Sequence, residues 1–243
     1  MTPISSSHLA NALQLNSREL ISLVGGGGKS TLLFQLARTL QGSTIATTTT
    51  KMGENQTGGL TVIEGPTFDA LRYRRKQEPV YVRQTVRNRK SIGVQPEMCD
   101  DWFGDASLCD NIVVEADGAR HRPFKAPANF EPVFPAQTTL VLAVIGADAL
   151  GRVIADQCHR PLRVAAVAAC SPYERLTPQR AAVVLTSPDG SMKGSPEESR
   201  KVVVITKVPH EEDDLLTASL VAELQAELSA TVEVLSIEYE HIR

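Results

Sequence analysis

The chain has 243 residues, a net charge of −3, 42% apolar residues and 22% charged ones. That length suits one large α/β domain, and that apolar share excludes a disordered chain. The near-neutral balance gives no overall pull toward nucleic acid or an anionic membrane surface.

Met1 to Leu20 is polar and lacks the basic-then-apolar order of a leader, and no apolar run approaches ~18 residues. The expectation is a cytoplasmic protein with no DNA, RNA or membrane partner. Residues 8–15 are predicted to form a short amphipathic helix.

Ile21-Ser22-Leu23-Val24 then reads as a strand that runs into Gly25-Gly26-Gly27-Gly28-Lys29-Ser30-Thr31. An amphipathic helix follows over 29–41, and Gly42 stops it. Strand, glycine loop and helix in that order make a phosphate-binding P-loop. Glycines let backbone N–H groups approach phosphate oxygens, and the helix adds its unpaired first-turn amides. Lys29 would bridge the β- and γ-phosphates of ATP or GTP, and Ser30 would reach Mg²⁺. The usual first glycine of such loops is replaced by Leu23, so the loop is short. The plainer alternative is a flexible turn with a surface lysine.

Ser43 to Ala46 reads as a second strand leading into Thr47-Thr48-Thr49-Thr50-Lys51-Met52. Thr50 and Lys51 fall where a γ-phosphate would sit, as a candidate switch or as a plain polar strand end. Gly53, Gly58 and Gly59 mark a mobile loop. Leu60–Glu64 and Pro79–Gln84 are predicted strands, and Thr67–Gln77 a helix. Residues 72–90 hold eight basic side chains against the single acid Glu78. Such a run is a solvated face or a patch for an anionic ligand or acidic partner. An acidic, partly helical segment follows over 95–108.

Asn111-Ile112-Val113-Val114-Glu115-Ala116-Asp117-Gly118 feeds a buried strand into two carboxylates, which is how a Mg²⁺-bearing strand ends. Glu115 and Asp117 share a face of an extended strand. Asp117 is the candidate metal ligand with Ser30, and Glu115 or Asp117 the group that orients a nucleophile. The alternative is a solvent-facing Asp-Gly turn. Arg120, Arg122 and Lys125 follow in a basic loop, where doubly wound sheets bind ligands. They are candidates for phosphate or a substrate anion, with a solvated loop as the alternative. His159 is a packing residue or an acid/base group. The four cysteines show neither CxxC nor metal spacing, which points to reduced thiols without zinc.

Thr138–Ile145 is a strong predicted strand, followed by helices near 162–170 and over Pro178–Leu185. Lys201–Thr206 is a late strand ending in Thr206-Lys207-Val208-Pro209. Guanine-binding proteins carry Asn-Lys-x-Asp at such a strand end. Here only Lys207 matches, so the base stays open. A helix over 211–229, capped by Glu211 to Asp214, and a strand over Thr231–Ile237 close the chain. The whole reads as one α/β domain over 1–243 with a P-loop NTPase-like three-layer fold, a mostly parallel central sheet and a small insertion around 60–108.

The glycine loop, the Thr47–Met52 run and Val113–Ala119, with Lys125-Ala126-Pro127, Glu131-Pro132-Val133, Gly146–Gly151, His159-Arg160-Pro161, Lys193-Gly194 and the Lys207 strand end, resemble the YqeC family. The likeness runs from about residue 20 to 237. It implies a nucleotide- and Mg²⁺-dependent accessory protein in selenium cofactor biosynthesis for selenium-dependent molybdenum hydroxylases. The partner would be the hydroxylase or one of its maturation proteins. A small-molecule kinase and a nucleotide-gated chaperone with slow hydrolysis are the rival readings. Family members commonly carry alanine at position 26, and the expectation is that glycine there costs nothing sterically.

Overall fold

A computed structural model describes residues 9–72, 78–208, 215–227 and 232–238. In chain order the elements are α1 (Leu9–Ala12), β1 (Glu19–Gly25), α2 (Lys29–Thr39), β2 (Thr44–Thr48), β3 (Lys51–Gly53), β4 (Thr61–Glu64), α3 (Phe68–Arg72), β5 (Val80–Arg83), β6 (Thr85–Arg87), β7 (Lys90–Ile92) and α4 (Pro96–Gly104). Then come β8 (Asn111–Glu115), β9 (Phe124–Lys125), β10 (Leu140–Gly146), α5 (Ile154–Gln157), β11 (Cys158–His159), α6 (Pro161–Val167), α7 (Pro178–Thr186), β12 (Arg200–Val208), α8 (Leu215–Glu227) and β13 (Val232–Glu238). The ends of two predicted helices, at 73–77 and 211–214, lie outside the described residues, as do Arg74, Arg75 and Lys76 of the basic run.

Eight strands form the main sheet in the order β13-β12-β10-β1-β8-β2-β5-β4. Every pairing in it is parallel. Parallel strands with helices on both faces bury both sides, which is why β1, β8 and β10 read as continuous apolar runs and are buried throughout. Side chains still alternate. Leu140, Leu142 and Val144 face the α2 side, while Val141, Ala143 and Ile145 face α7 and α8. Near the other edge, Ile112 and Val114 face Trp102 of α4. The result is a P-loop-like three-layer α/β fold.

From β1 the chain passes through α2 to β2, on one side, and returns through β8. It then crosses β1 to reach β10 and continues outward through β12 to β13. The direction reverses at β1, so a crevice opens beyond the C-terminal ends of β8, β1 and β10. Local signals hold the helices in place. The Thr177 hydroxyl accepts from the Arg180 amide at 3.3 Å and Pro178 opens α7.

Two small sheets escape the sequence reading. β3, β7 and β6 form an antiparallel trio. Its β6–β7 turn, Asn88-Arg89, has positive φ at both residues (50° and 59°), the geometry that matches hairpin twist. The stretch from 60 to 108 also supplies β4 and β5 to the edge of the main sheet. The second small sheet pairs β9 with β11 in parallel, which sets His159 opposite Lys125.

Candidate functional site

The glycine loop turns off the end of β1. Its first three amides are taken by β10 and by the loop that follows β8. Gly25 N–H donates to both carboxylate oxygens of Asp117, each at 3.1 Å. Gly26 donates to Val144 O at 2.9 Å and Gly27 to Arg122 O at 3.1 Å. Among the described residues, none accepts from the next four amides, Gly28, Lys29, Ser30 and Thr31, which lead into and open α2. These are the orphan donors of a helix N-terminus, and they face the crevice.

Position 26 has no room for the alanine that relatives carry there. A Cβ on Gly26 would lie 2.5 Å from Arg122 O and 2.9 Å from Phe124 N. Both are backbone atoms, so the loop or the Arg122–Phe124 segment must shift.

Beneath the loop lies a chain of buried charges. Lys29 Nζ donates to Gly25 O at 2.6 Å and stands 3.2 Å from Asp117 Oδ1 and 4.0 Å from Glu115 Oε1. Asp117 Oδ2 is 3.0 Å from Lys125 Nζ. Lys125 also donates to Gly118 O and to Glu131 Oε2, both at 2.8 Å. Glu131 Oε1 accepts from Arg160 at 3.1 Å. Lys125 and Asp117 are 0% and 1% exposed, so neither presents a charge to solvent. Glu115, at the tip of β8, accepts instead from the Ser30 hydroxyl at 2.8 Å.

The environment tunes these groups. Burial pushes the Glu115 carboxyl above its ordinary range, against the pull of Lys29 and the Ser30 bond. Burial alone would lower Lys29, but Asp117 and Glu115 outweigh it and hold the ammonium above its usual value. Burial opposes ionisation of Glu131 too, yet Lys125 and Arg160 keep it below the usual carboxylate range. His159 is pushed down to about 4, by burial first and then by Lys125, Arg160 and Arg120. It is neutral near pH 7. All four cysteines are free, and burial pushes the Cys158 thiol up to about 12. Among the described residues no group of three or more His, Cys, Asp or Glu is placed to hold a metal ion.

The crevice encloses about 750 Å³ and is lined on one side by Gly27, Gly28, Lys29, Ser30 and Thr31. Of the other residues singled out by sequence, Thr50, Lys51, Glu115, Arg120, Arg122, His159 and Lys207 also line it. Gly25, Gly26, Asp117 and Lys125 sit behind the wall. The threonine run is anchored to the tip of β8: Thr48 donates to Glu115 O at 2.8 Å and Thr49 to Val133 O at 2.7 Å.

Among the described residues of the basic run, only Lys90 lines the crevice. Arg72 pairs with Asp105 and Arg83 with Glu64. Sequence reasoning gave no role to Phe130, which lines the crevice while 73% exposed, or to Glu131 and Arg160. The last two stood in the family-like strings Glu131-Pro132-Val133 and His159-Arg160-Pro161. Their only signal was that position.

An all-parallel sheet whose central strand ends in a glycine loop, with a carboxylate-tipped strand at its side, defines a P-loop-like α/β protein. The chain belongs to the YqeC family. The family described as "YqeC protein" matches residues 21–162. The chain is also 32% identical over 213 residues to the Escherichia coli (strain K12) protein named "Uncharacterized protein YqeC", covering 85% of this chain and 82% of that one. No solved structure matches it. Among the described residues no helix is long and apolar enough to cross a membrane.

Proposed function

We propose that the chain binds a magnesium-bound nucleoside triphosphate at the glycine loop and serves the maturation of selenium-dependent molybdenum hydroxylases. The observation that carries the nucleotide reading is the 2.8 Å bond from Ser30 to Glu115, set beside four open amides. A hydroxyl and one carboxylate are the hard-oxygen set that Mg²⁺ takes when phosphate and water complete its shell. Sequence expectation paired Ser30 with Asp117. The geometry supports Ser30 with Glu115, because Asp117 has both oxygens engaged by Gly25, Lys29 and Lys125.

In this reading the amides of Gly28 to Thr31 and the ammonium of Lys29 hold the phosphates. Lys29 must leave Gly25 O and Asp117 to reach them. Asp117 and Lys125 hold the loop from below and touch no ligand. Magnesium and nucleotide, when bound, supply a phosphoryl group whose transfer rests on positioning and electrostatics. Beside the metal, Glu115, whose carboxyl burial pushes above its ordinary range, is also the candidate to orient an attacking hydroxyl or water.

Binding of labelled ATP and GTP with and without Mg²⁺ tests this. Lys29→Ala is expected to weaken binding at least ~tenfold, and Ser30→Ala and Glu115→Gln to abolish the Mg²⁺ dependence. Unchanged affinity in Lys29→Ala would sink the reading. The selenium role rests on family resemblance and on no residue of the crevice. Cells lacking the gene are expected to lose hydroxylase-bound selenium, and full retention overturns that half.

A second reading, a kinase for a small anionic acceptor, is favoured by one observation. The crevice continues past the loop to a rim of Lys51, Lys90, Arg120, Arg122, His159 and Arg160. Such a rim suits a second anion. Turnover that rises with a small acceptor alone would select it.

A further inference from the structure

We propose that Asp148, oriented by Lys207, reads the base of the bound nucleotide and selects guanine. The proposal rests on the nucleotide reading above and adds the base. Pro209, where an aspartate would stand in guanine-binding proteins, left the base open from sequence. The structure brings an acid to the lysine from 59 residues upstream: Lys207 Nζ is 2.8 Å from Asp148 Oδ2.

The loop is joined to the ends of β10 and β12. Thr206 Oγ1 donates to Gly27 O, and Gly146 lies directly against Gly27. On the other flank stand Ser30 and Glu115, the place of the metal and terminal phosphates. A nucleotide held by the loop therefore extends its sugar and base toward β10 and β12. Lys207 forms the crevice wall there.

Lys207 is placed with care. Its φ is 55°, a left-handed conformation uncommon for lysine. The pairing of β12 with β13 shifts register between Ile205 and Val208, a bulge that re-aims this side chain. Lys207 and Asp148 expose 34% and 46% of their side chains. An ion pair so exposed adds little stability, so the fold itself does not require it. Asp148 Oδ1 lies over Gly146, close enough that a Cβ there would collide with it. The carboxylate thus stands beside Gly146, next to the stretch of crevice wall that Lys207 forms, with one oxygen held by Lys207.

Guanine presents two adjacent donors, N1–H and the 2-amino group, to which a carboxylate can bond with both oxygens. Adenine presents an unprotonated N1 on the same edge, which a carboxylate repels. The methylene stem of Lys207 can lie flat against either purine.

The test uses the full chain with Mg²⁺ and fluorescent guanosine, adenosine and xanthosine diphosphates. The wild type is expected to bind guanosine diphosphate about tenfold or more tighter than adenosine diphosphate. Asp148→Asn should lose that preference and gain for xanthosine by a similar factor, because an amide can donate to the 2-oxo group. Lys207→Met should reduce guanosine binding toward the adenosine level. Both residues are partly exposed, so melting temperatures should stay near wild type. Equal wild-type affinity for guanosine and adenosine would overturn the base assignment and leave the nucleotide reading standing. An unchanged guanosine preference in Asp148→Asn would do the same. No binding of any of the three would overturn both.

Discussion

Two regions of this chain are rich in charge, and the fold treats them in opposite ways. Under the glycine loop, Lys29, Glu115, Asp117, Lys125 and Glu131 are buried and interlocked. Along the β6–β7 hairpin, Arg87, Arg89 and Lys90 are exposed. The hairpin has the denser run of basic residues in sequence, yet only Lys90 of it reaches the crevice, while Lys29, Glu115 and Glu131 of the buried set line it. Burial, not local charge density, separates the interlocked cluster from the exposed hairpin, because charge is retained in the interior only where partners hold it.

The sharpest way to break this contrast is Asp117→Ala. It would leave Lys29 and Lys125 buried with an acid removed, which costs about 3–5 kcal/mol. Denaturant unfolding measures the loss, and a change below ~1 kcal/mol would mean that the cluster is not interlocked. Next is Gly26→Ala, expected to cost about 1–3 kcal/mol by overpacking against Arg122 and Phe124. Thermal melting checks it, and wild-type stability would show that the Arg122–Phe124 segment yields freely.

A smaller effect is read by pH. The folded chain holds His159 down to about 4, against 6.5 for an ordinary histidine. Between those values the unfolded chain binds the extra proton, so stability falls as pH drops from 6.5 to about 4. Melting across that window should slope less in His159→Asn than in the wild type. Glu131 adds a further loss below the usual carboxylate range, since its folded value is lowered, and Glu131→Gln removes that part. Smallest is Arg87→Ala on the exposed hairpin, expected to change stability by less than ~0.5 kcal/mol. A larger change would erase the distinction between the two regions.

Much of the fold was legible because its strands are buried on both faces and bounded by glycine or proline. β1, β8, β10 and β12 fall where apolar runs place them. The β6–β7 hairpin was not legible, since its strands are three residues each and carry polar side chains. The strand–glycine loop–helix order around Lys29 and Ser30, and the β8 strand that ends at Glu115, were readable from local order. What escaped was pairing over distance. Nothing near Lys125 tells that it answers Asp117 and Glu131, and nothing near Lys207 points to Asp148. Such partners are set by the meeting of strand ends, which no local pattern encodes.

The contact between Gly27 and Gly146 sets a limit on how this chain can drift. A Cβ at position 27 would come within 2.6 Å of Gly146 Cα, a backbone atom that no side-chain exchange can move. The usual route of evolutionary repair, a second substitution nearby that makes room, is closed at this joint. Variation at position 27 requires β10 itself to move, and β10 carries Asp148 at its end. Inheritance at these two glycines is therefore coupled to the placement of Asp148, whose carboxylate lies over Gly146.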